Sequence, residues 1–397
     1  MSDQKQQQQL QLEQTRHYSN FVNSIRAEAT KKIYQHYLRK FQEFLKSKQR
    51  EDLLYSNDIT QIEQNIVDYL LTIRARGLSQ RHLKSSFNGI NHFYMINDIN
   101  LNGRKIRRFI QFDERKKGTT RTRSASASNS SRRRSRNQGY STEQIHQLLD
   151  ASDERTKAIV LMYASTGMRL AALPGITVGD LESVDCNGSQ LYQITVYQGY
   201  EDDEYVTFCT PECAKVLNSY LDYRRRFGEN ITDDSPLIRE QFDPGDPFKS
   251  KNGAKPIAIT TTSQILRRKF IQIGVRTVDQ PGDTSGSRYR KDVPLIHGFR
   301  KFFNTALMNA DVNPIIKELL MGHSVRLDDF YYDKNSEKSR QKLLDEYMKA
   351  IDNLTISEEN RLGLKVQQLT VKADEIMQLK LNYENMRIEM NAMKKKQ

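Results

Sequence analysis

From Thr30 onward, apolar residues recur at Ile33, Tyr34, Tyr37, Leu38, Phe41, Phe44 and Leu45, the three-and-four spacing that lays one stripe along a helix. The stripe returns at Leu83, Phe87, Ile90 and Tyr94, and Ile62 to Ile73 fits a third helix between them. Residues 17–112 therefore read as a small all-helical domain. Residues 1–16, MSDQKQQQQLQLEQTR, carry no such stripe. They are expected to form a mobile polar tail, with a solvated lead-in helix as the other reading.

A second domain is expected over residues 140–353. Ser141 and Gln144 fit a capping box ahead of Ile145, Leu148 and Leu149, and the helix they open is expected to continue through Ile159 and Met162 to a stop at Gly167. LYQITVYQ and EYVTFCT flank GYEDD, which predicts a β-hairpin. Helix returns from Pro211 to Phe227, with Val216, Leu217, Tyr220 and Leu221 facing inward. Residues 228–256 and 278–292 read as loops, and neither has phosphate-loop spacing.

The segment Pro294–Tyr332 is the densest in chemistry-bearing residues. His297 and Arg300 lie three apart, so a helix would put them on one face, looking outward together, while Phe299, Phe302, Phe303 and Leu307 turn to a core. Asn313–Pro314 is a helix-start signal, Ile315, Ile316, Leu319 and Leu320 form its stripe, and Gly322 ends it. His323 then sits just past a helix end, and Tyr332 follows nine residues later, preceded by Tyr331. Residues 354–397 alternate steps of four and three through Leu362, Val366, Leu369, Ala373 and Ile376. After one extra step of three, the alternation resumes at Leu379, Tyr383, Met386, Met390 and Met393. This predicts a coiled-coil helix with a stammer; a helix folded back on its own domain is the alternative. The fold class is thus mainly α with a small antiparallel β-sheet.

Charge narrows the partner. The chain's 397 residues include 62 Lys and Arg against 49 Asp and Glu, a net +13, with a pI near 9.4; nucleic acid is the first expectation. More than half of that net charge lies in residues 113–139, DERKKGTTRTRSASASNSSRRRSRNQG, with nine basic residues against two acidic ones and no large apolar residue. It reads as a flexible linker whose Arg132, Arg133 and Arg134 can follow a phosphate backbone. On the helical domain, Arg74, Arg76, Arg81, Lys84, Arg104 and Lys105, with Arg107 and Arg108, are candidate DNA contacts; a solvated charged face is the bland alternative. Cys186, Cys209 and Cys213 form no disulfide framework or zinc pattern and are expected to be reduced. No apolar run reaches the ~20 residues a membrane span needs, and the expected location is cytoplasmic, associated with DNA.

Arg169, in MYASTGMRLAAL, joins His297, Arg300, His323 and Tyr332 as a possible catalytic set. Two guanidiniums suit the charge that builds on a phosphodiester under attack, a phenol can attack it, and histidines can move protons or donate to oxygen. A lone histidine is more often structural, and His17, His36, His82, His92 and His146 take that reading. TGMRLAAL resembles the first arginine box of the tyrosine recombinases (phage-integrase family), HGFR its His-x-x-Arg box, and LLMGHS with Tyr332 its closing motif. The resemblance implies a core-binding clamp over residues 17–112 and a catalytic domain beyond the linker. It implies attack by Tyr332 on duplex DNA to leave a 3′-phosphotyrosyl link, without metal or other cofactor, by a homo-oligomer, a tetramer on paired sites. In that scheme Arg169 and Arg300 clamp the phosphate, His297 is an acid or base and His323 a hydrogen-bond donor. A mobile-element integrase or excisionase is the expected role, with strand relaxation like that of a type IB topoisomerase, or a catalytically weakened architectural protein, as alternatives. Two departures stand out: no lysine occurs from Ala158 to Ala214, with Gln198 where the family's hairpin lysine is expected, and Ala172 stands where many members have an acidic residue.

Overall fold

A computed structural model describes residues 16–47, 58–78, 80–110, 139–186, 188–200, 203–243, 245, 253–276, 295–325 and 336–394. Two compact units divide the chain, Met1–Thr122 and Arg123–Gln397. Tyr331, Tyr332, Arg132, Arg133 and Arg134, and nearly all of the Arg/Ser-rich stretch, lie outside the described residues. Among the described residues, no helix is long and apolar enough to cross a membrane.

In the first unit, α1 (16–23), α2 (Glu28–Ser47), α3 (Ile59–Ala75), α4 (Gln80–Ile96) and α5 (Gly103–Ile110) enclose one core. The expected stripes supply it: Leu38, Phe41, Ile62, Ile66, Leu70, Leu83, Phe87, Ile90 and Tyr94 are buried, joined by Phe21 and Phe93. Asp58 caps α3 by accepting from the backbone amides of Thr60 and Gln61, a link worth roughly 1 kcal/mol. The helix α5, unmarked in the sequence reading, is held by buried Glu63. That carboxylate accepts from the Asn102 amide at 2.7 Å and from Lys105 Nζ at 2.9 Å.

The second unit is helical around one small sheet. Ser141 and Gln144 form the expected capping box, each side chain meeting the other's backbone amide at 3.2 and 3.1 Å. The helix does not run unbroken to Gly167: α6 (Thr142–Asp150) stops and α7 (Glu154–Thr166) restarts. The break has a local cause, since Asp153 accepts from the Thr156 amide and caps a new N-terminus. The sheet has three strands, β1 (Leu181–Cys186), β2 (Ser189–Val196) and β3 (Tyr205–Phe208), in an antiparallel meander with Leu181 opposite Ile194 and Thr195 opposite Val206. β2 and β3 are the expected hairpin; β1, sequence LESVDC, escaped notice because its edge position lets polar residues stand on both faces.

Next comes α8 (Pro211–Arg226), capped by Thr210, with Cys213, Ala214, Leu217, Tyr220 and Leu221 buried and Val216 only partly so. Cys209 and Cys213 are free and buried. The loop before α9 (Ile259–Gln272) threads the interior at Leu237, Ile238 and Ile257, pinned by the Leu237 amide on Ile176 O at 2.9 Å. Then α10 (Leu295–Asn309), α11 (Pro314–Leu320), α12 (Glu337–Lys349) and the short α13 (Ile351–Leu354) complete the body. Asn313 caps α11 as expected, but Ile315 is 46% exposed, so the buried stripe there is Ile316, Leu319 and Leu320.

The last helix, α14 (Glu358–Lys394), begins against the body, where Glu212 accepts from the amides of Ile356 and Ser357 at 2.7 and 3.0 Å. Leu364 is buried, whereas Leu362, Val366, Leu369, Ile376, Leu379, Tyr383, Met386 and Met390 are all more than half exposed. The helix therefore does not fold its stripe back on its own domain.

Candidate active site

Two helix ends and one helix interior build the site. α7 ends at Gly167, whose φ of +61° closes the helix in the left-handed region and turns the chain toward Arg169. A Cβ at Gly167 would come within 2.4 Å of the Phe303 ring on α10, so glycine is also needed for the approach of the two helices. Tyr163 Oη donates to Leu170 O at 3.1 Å and holds the loop that carries Arg169.

α11 ends in a two-bond glycine cap. The His323 amide donates to Glu318 O at 3.0 Å and the Gly322 amide to Leu319 O at 2.9 Å, with Gly322 at φ +65°. This turn leaves the Met321 and Gly322 carbonyls accessible to side chains and places His323 beyond them. A Cβ on Gly322 would sit 2.5 Å from Tyr205 Cε1, so the Tyr205 ring lies flat against the turn.

Arg300, from the middle of α10, joins both ends. Its Nη1 donates to Gly167 O at 2.8 Å, and its Nη2 to Met321 O at 2.7 Å and His323 Nε2 at 2.6 Å. Arg169 Nη2 donates to Gly322 O at 3.0 Å. Arg169, Arg300 and His323 thus converge on one turn, although the chain separates the first two by more than a hundred residues. His323 Nδ1 lies 2.5 Å from Glu318 Oε2.

His297 and Arg300 do not look outward together. Arg300 is 7% exposed and points inward to the two carbonyls, while His297, a turn earlier, is exposed. The apolar face of α10 explains the difference: Arg300 lies four residues from Ile296, three from Phe303 and seven from Leu307, all buried, so it shares the face turned to the body. Partial desolvation, with the Lys301 and Arg300 cations, holds His297 below the usual histidine range. Burial, then Arg169, likewise lowers the Arg300 pKa.

Two tyrosines that the sequence reading passed over belong to this place. Tyr205 opens β3, and burial pushes its phenol up to about 12 against the opposing pull of Arg300. Its hydroxyl is buried and finds no hydrogen-bond partner among the described residues. Tyr197, whose ring centroid is 6.4 Å from that of Tyr205, leaves β2 at φ +60°. Their alternation with Val196 and Val206 disguised them as ordinary strand residues. Gln198 is exposed at the hairpin tip, and Ala172 is fully buried.

The candidate DNA contacts Arg74, Arg76, Arg81, Lys84, Arg104 and Lys105 are all exposed on the first unit. Lys105 is also engaged in its ion pair with Glu63. Among the described residues, no cluster of three or more His, Cys, Asp or Glu could hold a metal ion.

No family model matches the chain, and no curated protein does. Among solved structures, it is similar to the XerH site-specific recombinase bound to its difH substrate, at 15% identity and a TM-score of 0.48, over 79% of this chain and 78% of that one. The Tn1549 transposon integrase in complex with transposon right end DNA matches at 16% identity and a TM-score of 0.47, over 85% and 98%. A lambda integrase tetramer bound to a Holliday junction matches at 13% and 0.47, over 81% and 78%. All three are recombinases or integrases by name.

Proposed function

We propose that this chain is a site-specific DNA recombinase of the tyrosine recombinase family, cleaving and rejoining duplex DNA through a 3′-phosphotyrosyl intermediate on Tyr332. The observation that carries the reading is the convergence of Arg169, Arg300 and His323 on the Gly322 turn, with no carboxylate on either guanidinium among the described residues. A buried cation held only by carbonyls and an imidazole suits an incoming anion. A phosphodiester under attack gains charge on its nonbridging oxygens, where forked donors act most strongly.

In this scheme the Tyr332 phenol attacks the phosphorus, the 5′-oxygen leaves, and the phosphotyrosine retains the bond energy for rejoining. Arg169 and Arg300 hold the phosphate. His297, exposed and with a pKa below the usual range, is free to accept a proton near neutral pH. Arg74, Arg76, Arg81, Lys84 and Arg104, with Arg132, Arg133 and Arg134 of the linker, contact the phosphate backbone, and Lys105 does so to the extent that Glu63 releases it. Protomers assemble on paired sites as a tetramer, and the biological role is integration or excision of a mobile element.

The absence of a lysine from Ala158 to Ala214 and the exposed Gln198 support a second reading, a DNA-binding architectural protein with weakened cleavage. The test is a pool of nicked duplexes of randomised sequence, from which protein bound through an SDS-resistant link is recovered. The wild type should yield an adduct and Tyr332→Phe none. Retention by Tyr332→Phe with loss in Tyr331→Phe would move the nucleophile by one residue, and tight binding with no adduct from any variant would favour the architectural reading.

A further inference from the structure

Glu318 holds His323 twice. Its carbonyl accepts from the His323 amide at 3.0 Å, and its carboxylate meets the ring Nδ1 at 2.5 Å. The other ring nitrogen faces Arg300 Nη2 at 2.6 Å. An arginine can only donate, so this contact requires a bare Nε2 and places the ring proton on Nδ1, against the carboxylate. That tautomer leaves His323 unable to donate to a phosphate while Arg300 occupies Nε2.

We propose that Glu318 is a positioning residue that fixes His323 as the Nδ1–H tautomer in the DNA-free chain and lets it become an imidazolium donor when a phosphate draws Arg300 Nη2 away. The second half rests on the phosphotyrosyl reading above. The proton balance is simple: Nε2 takes a proton from solvent and donates it as a hydrogen bond to a nonbridging phosphate oxygen. Nδ1–H stays on Glu318, and Nε2 returns its proton to water when the phosphate leaves.

The surroundings make the carboxylate necessary. His323 is faced by Arg300 from α10, while Arg169 grips the adjacent Gly322 carbonyl and Tyr205 of β3 covers that glycine. Lys317 lies 3.4 Å from Glu318. A second proton on the ring is opposed by two guanidiniums, and among the described residues Glu318 is the carboxylate in contact that offsets them. Burial works to raise the Glu318 pKa, but its hydrogen bonds with His323 and Lys317 and the Lys317 charge hold it below the ordinary range, so it is ionised at neutral pH. The side chains of His323 and Glu318 are each 40% exposed, open to a phosphate from solvent.

Imidazole nitrogen spectra of the full chain test the first half without DNA. The wild type should show His323 protonated on Nδ1 and bare on Nε2. Glu318→Gln should keep that state because its amide oxygen still accepts, whereas Glu318→Leu, with no acceptor left for Nδ1–H, should release Nε2 from Arg300 Nη2 and turn to the Nε2–H form that free histidine prefers. An Nε2–H ring in the wild type, or an unchanged ring in Glu318→Leu, overturns the assignment. The second half is read from the pH profile of adduct formation on the recovered duplex. Glu318→Gln should move the alkaline limb to lower pH, since an imidazolium loses its counter-charge, and an unmoved limb overturns the imidazolium. Failure of the wild type to form any adduct would instead sink the recombinase reading, and the imidazolium with it, while the spectra still decide the tautomer.

Discussion

Arg224 and Arg300 are both buried arginines of the same unit, and their surroundings put them to opposite uses. Arg224 is fully buried. It donates from Nε and Nη2 to the two oxygens of Glu229, at 3.0 and 2.5 Å, and from Nη1 to Pro236 O and Leu237 O. Arg239 adds a second cation to the same carboxylate at 2.5 Å. The charge is matched at home, and the network ties the end of α8 to the threaded loop. Arg300 spends its donors on two carbonyls and a histidine. Among the described residues no carboxylate contacts it directly, and a second guanidinium stands on the same turn. A buried cation completed by its own fold is structural, whereas one left electrically incomplete is prepared for an anion from outside.

The sharpest way to break this contrast is at Glu229. Glu229→Gln should cost about 3–5 kcal/mol, because two buried guanidiniums lose their counter-charge. Thermal unfolding should show a large fall in Tm, while adduct formation at temperatures where the variant is folded stays near wild type. A small change in Tm would make Arg224 as indifferent to its carboxylate as Arg300 is to lacking one.

Arg300→Lys is the mirror experiment. It keeps a cation but loses the fork, and adduct formation should fall about 10²–10³-fold with a far smaller change in Tm. Equal losses of stability in the two variants would mean that Arg300 is chiefly a structural strut.

The smallest effect separates the two arginines by pH. Burial works to raise the Glu229 pKa, but its contacts with Arg224 and Arg239 hold it below the ordinary glutamate range. A carboxylate depressed in the folded state contributes stability at neutral pH that is lost as pH falls through its folded value. Unfolding free energy should therefore decline below about pH 4.3, the ordinary glutamate value, and that share of the decline should vanish in Glu229→Gln. An identical acid limb in both proteins would assign the loss to other carboxylates.

Local signals in the sequence were dependable where one turn of backbone decides the outcome. Ser141 with Gln144, Asn313 before Pro314, and the stops at Gly167 and Gly322 all act within a few residues, and each is found as written. Apolar stripes likewise placed the helices of the first unit. One local signal went unread: Asp153, a cap acting over three residues, splits a helix that the periodicity runs together. The other departures arise where neighbours decide. β1 is a strand because β2 lies beside it, and Arg300 turns inward because Ile296, Phe303 and Leu307 on its helix face are packed in the body.

The order and spacing of the Arg169, His297–Arg300 and His323–Tyr332 boxes belong to the sequence alone, and so do the missing hairpin lysine and the stripe of the last helix. Only the tertiary structure brought Arg169, Arg300 and His323 to one glycine turn, set Glu318 behind the histidine and Tyr205 over the turn, and left His297 apart. Helix caps and periodicity are properties of backbone geometry over a few residues, which composition controls directly. The direction and partners of a buried charge depend on which distant carbonyls and carboxylates the packed core delivers to it.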